Sequence, residues 1–450
     1  MKILQVNTAD SGGGAEKVAL DLHHAYGARG YKSWLAVGYV RGSRSDVLQI
    51  PNNPSRNPWA RAWSSFAGRL VPFTGKIRGV DRVRRLSMDI AEPRRSAERR
   101  QGHEDFAFPG TKRLLELPSE RPTILHCHNL HGGYFDLRAL SQLSMSVPTI
   151  LTLHDAWLLS GHCAHSFACG RWQTGCGHCP DLSIYPSVPR DATAGNWRRK
   201  QRVFARSRLY IATPSQWLMD KVKKSMLFPA AVDLRVIHNG VDLSVFRPAD
   251  RLSVRAVLGV PPDTILLLSS ANGIRNNPWK DLETMRSALA GVAERASGRR
   301  VLFVALGEDA PAEQIGSAEL RFIGFEADPI AYARYYQAAD VYVHAAKADT
   351  FPTTVLEALA CGTPVVATAV GGIPEQVQDS RTGFLVNPGS PESMTEAVVH
   401  LLNDDGLRRR MAANAAEDAK ERFDVRRQVD DYVGWYQEIL ASQSWKSRIG

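Results

Sequence analysis

The sequence predicts an α/β protein of two domains, each a mostly parallel sheet with helices on both faces. Three observations carry this expectation. A chain of 450 residues is too long for one ordinary core. Brief apolar runs alternate with helical stretches in two separate series. Between the series, the segment VIHNGVDLSVFRPAD (236–250) ends a strand and passes into turn and linker chemistry, with Pro248, Pro261 and Pro262 as breakers.

In chain order, Ile3 to Val6 reads as a short buried strand, SGGGA as a turn, Glu16 to Gly27 as a helix and Ser33 to Val37 as a second strand. The rhythm returns with TILH (Thr123 to His126), TILTL (Thr149 to Leu153) and LYIA (Leu209 to Ala212). The second series reads as strands at Ile265 to Ser270, Val301 to Leu306, Arg321 to Phe325, Val341 to Ala345, Pro364 to Thr368 and Gly383 to Val386. Its helices fall at Leu282 to Ser297, Pro329 to Ala338, Thr354 to Ala360 and Pro391 to Leu402. The domains are therefore expected at 1–245 and 246–424, with a charged terminal helix at 425–450 that packs back on the first domain.

Composition limits the function classes. Hydrophobic residues make up 44% and charged residues 23%, which describes a globular chain and excludes disorder. No apolar run is long enough to cross a bilayer, and MKILQV enters a strand without a leader pattern, so a cytoplasmic location is expected. The net charge of +10 is concentrated in an insertion at about 52–105. Between Arg56 and Arg100 stand twelve Lys and Arg residues against Asp81, Asp89, Glu92 and Glu98, interleaved with Trp59, Trp63, Phe66 and Phe73. Such a stretch suits the surface of an anionic membrane, with a solvated insertion as the alternative. A second basic run at 198–208 would also attract nucleic acid, but no nucleic-acid-binding module accompanies it.

Several residues carry candidate chemistry. In DTFPTTVLEALACGTPVVAT (349–368), Asp349 and Glu357 flank a loop that runs into a helix. The amides of Phe351, Thr353 and Thr354, around Pro352, lie at that helix start, where unpaired N–H groups and the helix dipole favour an anion. Arg275 and Lys280, five residues apart after the first strand of the second series, supply two cations for a pyrophosphate. Gly13 and Gly14 sit in a glycine turn that lacks the spacing of a dinucleotide fingerprint, which argues against a dehydrogenase. His126 and His128 read as lining a strand end, and His238 as structural. Trp157, Trp172 and Trp197 read as packing residues. Cys127 and Cys361 read as buried apolar thiols. Cys163, Cys169, Cys176 and Cys179 crowd into a Cys-rich segment at 160–182, where the closing C-x2-C suits a structural zinc; reduced, packed thiols are the alternative.

The motifs around Asp349 and Glu357, ACGTPVVAT, VGGIPE (Val370 to Glu375) and GFLV, together with SGGGAEK, HDAW (His154 to Trp157), HNGVD (His238 to Asp242), Arg275 and Lys280, resemble glycosyltransferase family four, and the resemblance spans nearly the whole chain. The Cys-rich segment resembles the bacterial exopolysaccharide or colanic-acid-type subgroup. The resemblance implies the GT-B fold, two Rossmann-like domains with parallel sheets facing across a cleft. It implies retaining transfer of a hexosyl group from a UDP- or GDP-linked sugar to a lipid-linked or polysaccharide acceptor, and the basic insertion adds the inner face of the plasma membrane as the expected place. It casts Arg275 and Lys280 as the diphosphate pair, Glu357 as the ribose partner, and Asp349 and His154 as contacts of the transferred sugar. Gly13 and Gly14 become the turn that approaches the donor. Asp349 and Pro352 stand where the family pattern has Glu and Gly. No D-x-D motif occurs, so no catalytic metal is expected. The competing readings are a nucleotide-sugar epimerase of the same architecture and a non-catalytic nucleotide- or carbohydrate-binding subunit.

Overall fold

The computed structural model describes residues 1–42, 46–296 and 298–442. Ser297, the last residue of one expected helix, and 443–450 of the expected terminal helix lie outside the described residues. The chain divides into two compact units. The first contains Met1–Thr213, Leu218–Arg235 and the described residues from Tyr436 on; the second contains Pro214–Trp217 and Val236–Trp435.

The first unit is built on seven strands: β1 (Lys2–Ala9), β2 (Lys32–Tyr39), β3 (Val47–Gln49), β4 (Ile124–Cys127), β5 (Thr149–Thr152), β6 (Leu209–Thr213) and β7 (Ala231–Val236). Their order is β3-β2-β1-β4-β5-β6-β7. The ladders from β3 to β6 are parallel, with Ile3 opposite Ser33 on one side and Ile124 on the other. Central strands that are covered on both faces need apolar residues at every position, and Ile124, Leu125, Ile150 and Leu151 are fully buried. Strand order reverses between β1 and β4, so their carboxyl ends open a crevice.

The second unit holds β8 (Ile265–Ser270), β9 (Val301–Leu306), β10 (Glu313–Ile315), β11 (Ala318–Ile323), β12 (Val341–His344), β13 (Val365–Thr368) and β14 (Gly383–Val386), in the order β10-β11-β9-β8-β12-β13-β14. Only the β10–β11 ladder is antiparallel. Side-chain alternation divides this sheet between two cores. Leu266, Leu268, Leu302 and Val304 pack against the helices Pro329–Ala338 and Thr353–Ala360. Ile265, Leu267, Val301 and Phe303 pack against Leu282–Arg295 and Pro391–Asn403. The order reverses between β8 and β12.

Four strands depart from the sequence expectation. β3 and β10 have three residues each, too few for a periodicity to register. β7 (AVDLRV) is only half-buried and carries Asp233 and Arg235. The strand expected from Arg321 begins at Ala318, because Gly316, at φ +58°, turns β10 into β11. The basic insertion is helical, at Pro58–Arg69, Val80–Ala91 and Pro93–Arg100. Asn57 caps the first of these by accepting from the Ala60 amide at 2.8 Å. The helices Pro58–Arg69 and Val80–Ala91 pack on each other, yet Trp59, Phe66, Val83, Leu86 and Ile90 remain exposed. Among the described residues no helix is long and apolar enough to cross a membrane.

Candidate active site

In the second unit, the chain leaves β8 through ANGIRNNPWKD and is stitched to the segment after β12. The Asp281 amide donates to the Ala345 carbonyl, and the Lys347 amide to that of Trp279. This brings Lys280 Nζ to 2.6 Å from Asp349 Oδ2, with His344 Nε2 3.3 Å from both groups. Three polar side chains thus converge where the strand order reverses, the position at which open α/β sheets bind ligands. Burial opposes ionisation of Asp349, but the adjacent Lys280 ammonium and His344 hold its carboxyl well below the usual carboxylate range. Burial, reinforced by Lys280, pushes the His344 imidazole down to about 4, so at neutral pH this ring is uncharged. Arg275 is more open: its guanidinium lies 3.9 Å from Glu308, and that carboxylate also accepts from the Ile274 and Arg275 amides at 2.7 and 2.9 Å. Glu308 and His344 escaped sequence reasoning. His344 is the last residue of β12 and Glu308 lies two residues past β9, and neither belongs to a local motif.

The helix Thr353–Ala360 starts beside this cluster. Pro352 is its N-cap and offers no capping side chain, which leaves the first turn to other acceptors. The loop before it is held by V-G-G: a Cβ on Gly371 would lie 1.7 Å from the Asp349 carbonyl, and one on Gly372 2.1 Å from that of Thr350. The Phe351 ring is buried and stacks on His238 at 5.1 Å, so this residue approaches the site through backbone alone. His238 is structural in this sense, with Nδ1 2.7 Å from the Pro214 carbonyl. Glu357 is buried and accepts from the Tyr336 hydroxyl at 2.8 Å; Tyr336, Tyr332 and Ser270 continue the chain of hydroxyls. Its carboxylate is thus anchored by tyrosines that sequence reading did not single out.

In the first unit, Gly13 is the N-cap of the helix Gly14–Ala28, reached directly from β1. Gly12 (φ +120°) leaves room for Arg41, whose Nη1 would sit 2.0 Å from an added Cβ. Beyond β4 and β5, His128 Nδ1 meets His154 Nε2 at 3.0 Å, and His128 Nε2 meets Gln5 Oε1 at 3.0 Å. A bond between two ring nitrogens requires one of them bare, and burial lowers the His154 pKa to about 4 and holds that of His128 well below its ordinary value. His126 lies in a separate set, between the hydroxyls of Thr152 (2.7 Å) and Tyr436 (2.6 Å).

A cavity of about 1030 Å³ opens in the first unit. The helices Val80–Ala91 and Pro93–Arg100 form one wall, and residues 130–135, Trp157 and 185–189 form the other. His131 Nε2 contacts Asp155 Oδ2 at 2.6 Å on this wall, a pair 24 residues apart that sequence reasoning missed although HNLHGG and HDAW carry both members. Beneath it, Lys200 is wholly buried, 3.0 Å from Glu104 and 3.9 Å above the Trp157 ring. Trp157, Trp172 and Trp197 are all buried.

Cys163, Cys169, Cys176 and Cys179 lie near enough to one another to interact electrostatically. Cys176 accepts from the Gly161 amide, while Cys179 contacts His162 at 3.3 Å. Among the described residues no group of three or more His, Cys, Asp or Glu is placed to hold a metal ion. Burial raises the pKa of the Cys163, Cys176 and Cys179 thiols, that of Cys176 to about 12.

Two doubly wound sheets, each with candidate chemistry at its switch point, define a glycosyltransferase of the GT-B fold. The chain belongs to glycosyltransferase family 4: residues 12–245 match the model described as Glycosyltransferase Family 4, and residues 251–418 that described as Glycosyl transferases group 1. It is 25% identical to WcaC of Escherichia coli K12, named as a colanic acid biosynthesis glycosyl transferase, over 98% of this chain and all of that one. Among solved structures, sucrose-phosphate synthase of Thermosynechococcus elongatus superposes with a TM-score of 0.64 at 18% identity, covering 98% of this chain and 99% of the other. Anabaena HepE in complex with UDP-glucose gives 0.60 at 20% identity, with the same coverage.

Proposed function

We propose that the chain is a retaining, metal-independent hexosyltransferase. Its donor is a UDP- or GDP-linked sugar, and its acceptor a lipid-linked or polysaccharide chain in cell-surface polysaccharide biosynthesis. The observation that carries this reading is the convergence of Lys280, Asp349 and His344 beside the uncapped helix start at Thr353. The names of WcaC and of the HepE–UDP-glucose complex point the same way.

A donor diphosphate arriving at this position takes Lys280 as a second partner and meets the amides of Thr353 and Thr354, with Arg275 supplying a further cation. The bond between the anomeric carbon and the diphosphate oxygen breaks as positive charge grows on the sugar. The negative charge left on the diphosphate is held by these donors. The acceptor hydroxyl adds to the same face, and its proton passes to the departing phosphate oxygen. Asp349 keeps its charge throughout, so it accepts hydrogen bonds from sugar hydroxyls. The exposed apolar residues of the basic insertion support peripheral contact with an anionic membrane at its cytoplasmic face.

The test is thermal unfolding of the full chain with a panel of nucleoside diphosphates and their sugars. A ligand at a hundred times its Kd stabilises by about 2.7 kcal/mol. One sugar nucleotide is expected to raise Tm in the native protein and to lose that effect in Arg275→Ala and Lys280→Ala. Turnover that survives both substitutions overturns the reading.

A further inference from the structure

The cavity of the first unit has a charge imbalance that nothing inside the protein satisfies. Four carboxylates line it, and each is engaged. Asp89 pairs with Arg100, Glu92 with Arg56 and Arg95, Asp105 with Arg95, and Glu104 with buried Lys200. Arg82, Arg84, Arg85 and Arg99 line the same cavity, and none has a carboxylate partner among the described residues. Arg85 Nε donates to the Asp81 carbonyl at 3.3 Å, and an anion entering the concavity relieves the mutual repulsion of four guanidiniums that lack a carboxylate partner, their forks matching the oxygens of a phosphate. The volume, about 1030 Å³, accommodates a molecule far larger than an inorganic ion. Tyr39 and Tyr185 also line the cavity, with hydroxyls that engage the Gly132 and Gly133 carbonyls and His131. Val83, Leu86 and Ile90 stand exposed on the helix that carries three of the arginines, so an apolar chain attached to the anion has a surface to lie on.

We propose that this cavity is a phosphate subsite for the acceptor, in which Arg82, Arg84, Arg85 and Arg99 hold a phosphate or diphosphate ester that the acceptor carries. The assignment rests on the glycosyl-transfer reading for the word acceptor, but the site itself uses no residue of the donor cluster.

The experiment measures binding of farnesyl diphosphate, farnesol and inorganic pyrophosphate to the full chain by calorimetry at low salt. The proteins are the native sequence, Arg82→Gln/Arg85→Gln/Arg99→Gln, the corresponding triple Lys variant, and Lys280→Ala. The arginines are exposed, so Tm should hold in the triple variants. Farnesyl diphosphate is expected to bind the native protein and Lys280→Ala alike, at least tenfold more weakly to the Gln variant, with part of the loss recovered by Lys. Binding should weaken as salt rises. Pyrophosphate that competes as tightly, measured in the Lys280→Ala protein, assigns the subsite to a soluble phosphorylated acceptor; much weaker competition assigns it to a lipid-borne one. Farnesol binding as well as its diphosphate, or equal binding by the Gln variant and the native protein, overturns the proposal. Failure of the donor reading shows separately, as nucleotide binding that does not respond to Lys280→Ala.

Discussion

Lys280 interacts with both other polar side chains at the second unit's switch point. It pairs with Asp349 and adds to the burial that keeps His344 uncharged. Lys280→Ala is expected to lower turnover about 10²- to 10³-fold, the loss seen when one preorganised donor to a developing anion is removed. It should also shift the His344 titration upward from about 4, since one of the two effects that depress it is gone. Proton NMR of the imidazole follows this directly, and an unmoved titration would refute the coupling. Glu104 poses the opposite problem in the first unit. Its carboxylate is the counter-charge to Lys200, which is fully buried with carbonyls of Trp157 and Ser160 at 2.9 and 3.1 Å. Glu104→Gln leaves that ammonium without a charge partner and is expected to destabilise by about 3–5 kcal/mol, read as a shift in the urea midpoint.

At the scale of elements, two loops in the second unit fix each other. The segment 349–352 can stand where it does only because 371 and 372 carry no Cβ, and Gly371 also needs its φ of +57°. Gly371→Ala should push the Asp349 carbonyl away, lowering both turnover and stability, the latter by about 1–3 kcal/mol; a crystal structure with 349–352 unmoved would contradict this. The helices of the basic insertion make a different kind of prediction. Trp59→Ser/Phe66→Ser/Leu86→Ser removes exposed apolar surface, so Tm should hold while co-sedimentation with anionic vesicles falls severalfold. These elements also show what the sequence makes legible. Continuous apolar runs such as ILLLSS and VLFVAL announce buried parallel strands because both faces are covered. Lys280 and Asp349 are legible through motifs on one stretch of chain each. The His131–Asp155 pair, Glu308 and the arginine-lined cavity are not, because each depends on segments that only the sheet order brings together.

Across the whole molecule, buried neutral histidines set the response to acid. His126, His154 and His344 titrate at about 3, 4 and 4, and His128 lies well below its ordinary value, all through burial first. An unfolded chain takes up these protons near pH 6.5, whereas the folded one does not until about pH 4. Between those values the unfolded state therefore binds more protons, and stability must fall as pH falls. Each histidine adds a slope of up to about 1.4 kcal/mol per pH unit in that window. The hydrogen bonds of His126 to Thr152 and Tyr436 and of His128 to Gln5 and His154 would need to rearrange on protonation, so relief by local change is restricted. Because three of the four lie in the first unit, the two units need not unfold together, and probes on Trp157 and Trp279 should report them separately. The transition seen from Trp157 is expected to move to lower urea by a larger amount between pH 7 and pH 5 than that seen from Trp279. His154→Asn should flatten the first profile without touching the second. A Trp157 transition that stays level from pH 7 to pH 5 would mean that the histidines of the first unit titrate at ordinary values, and that the neutral His128–His154 contact is not what the folded protein keeps.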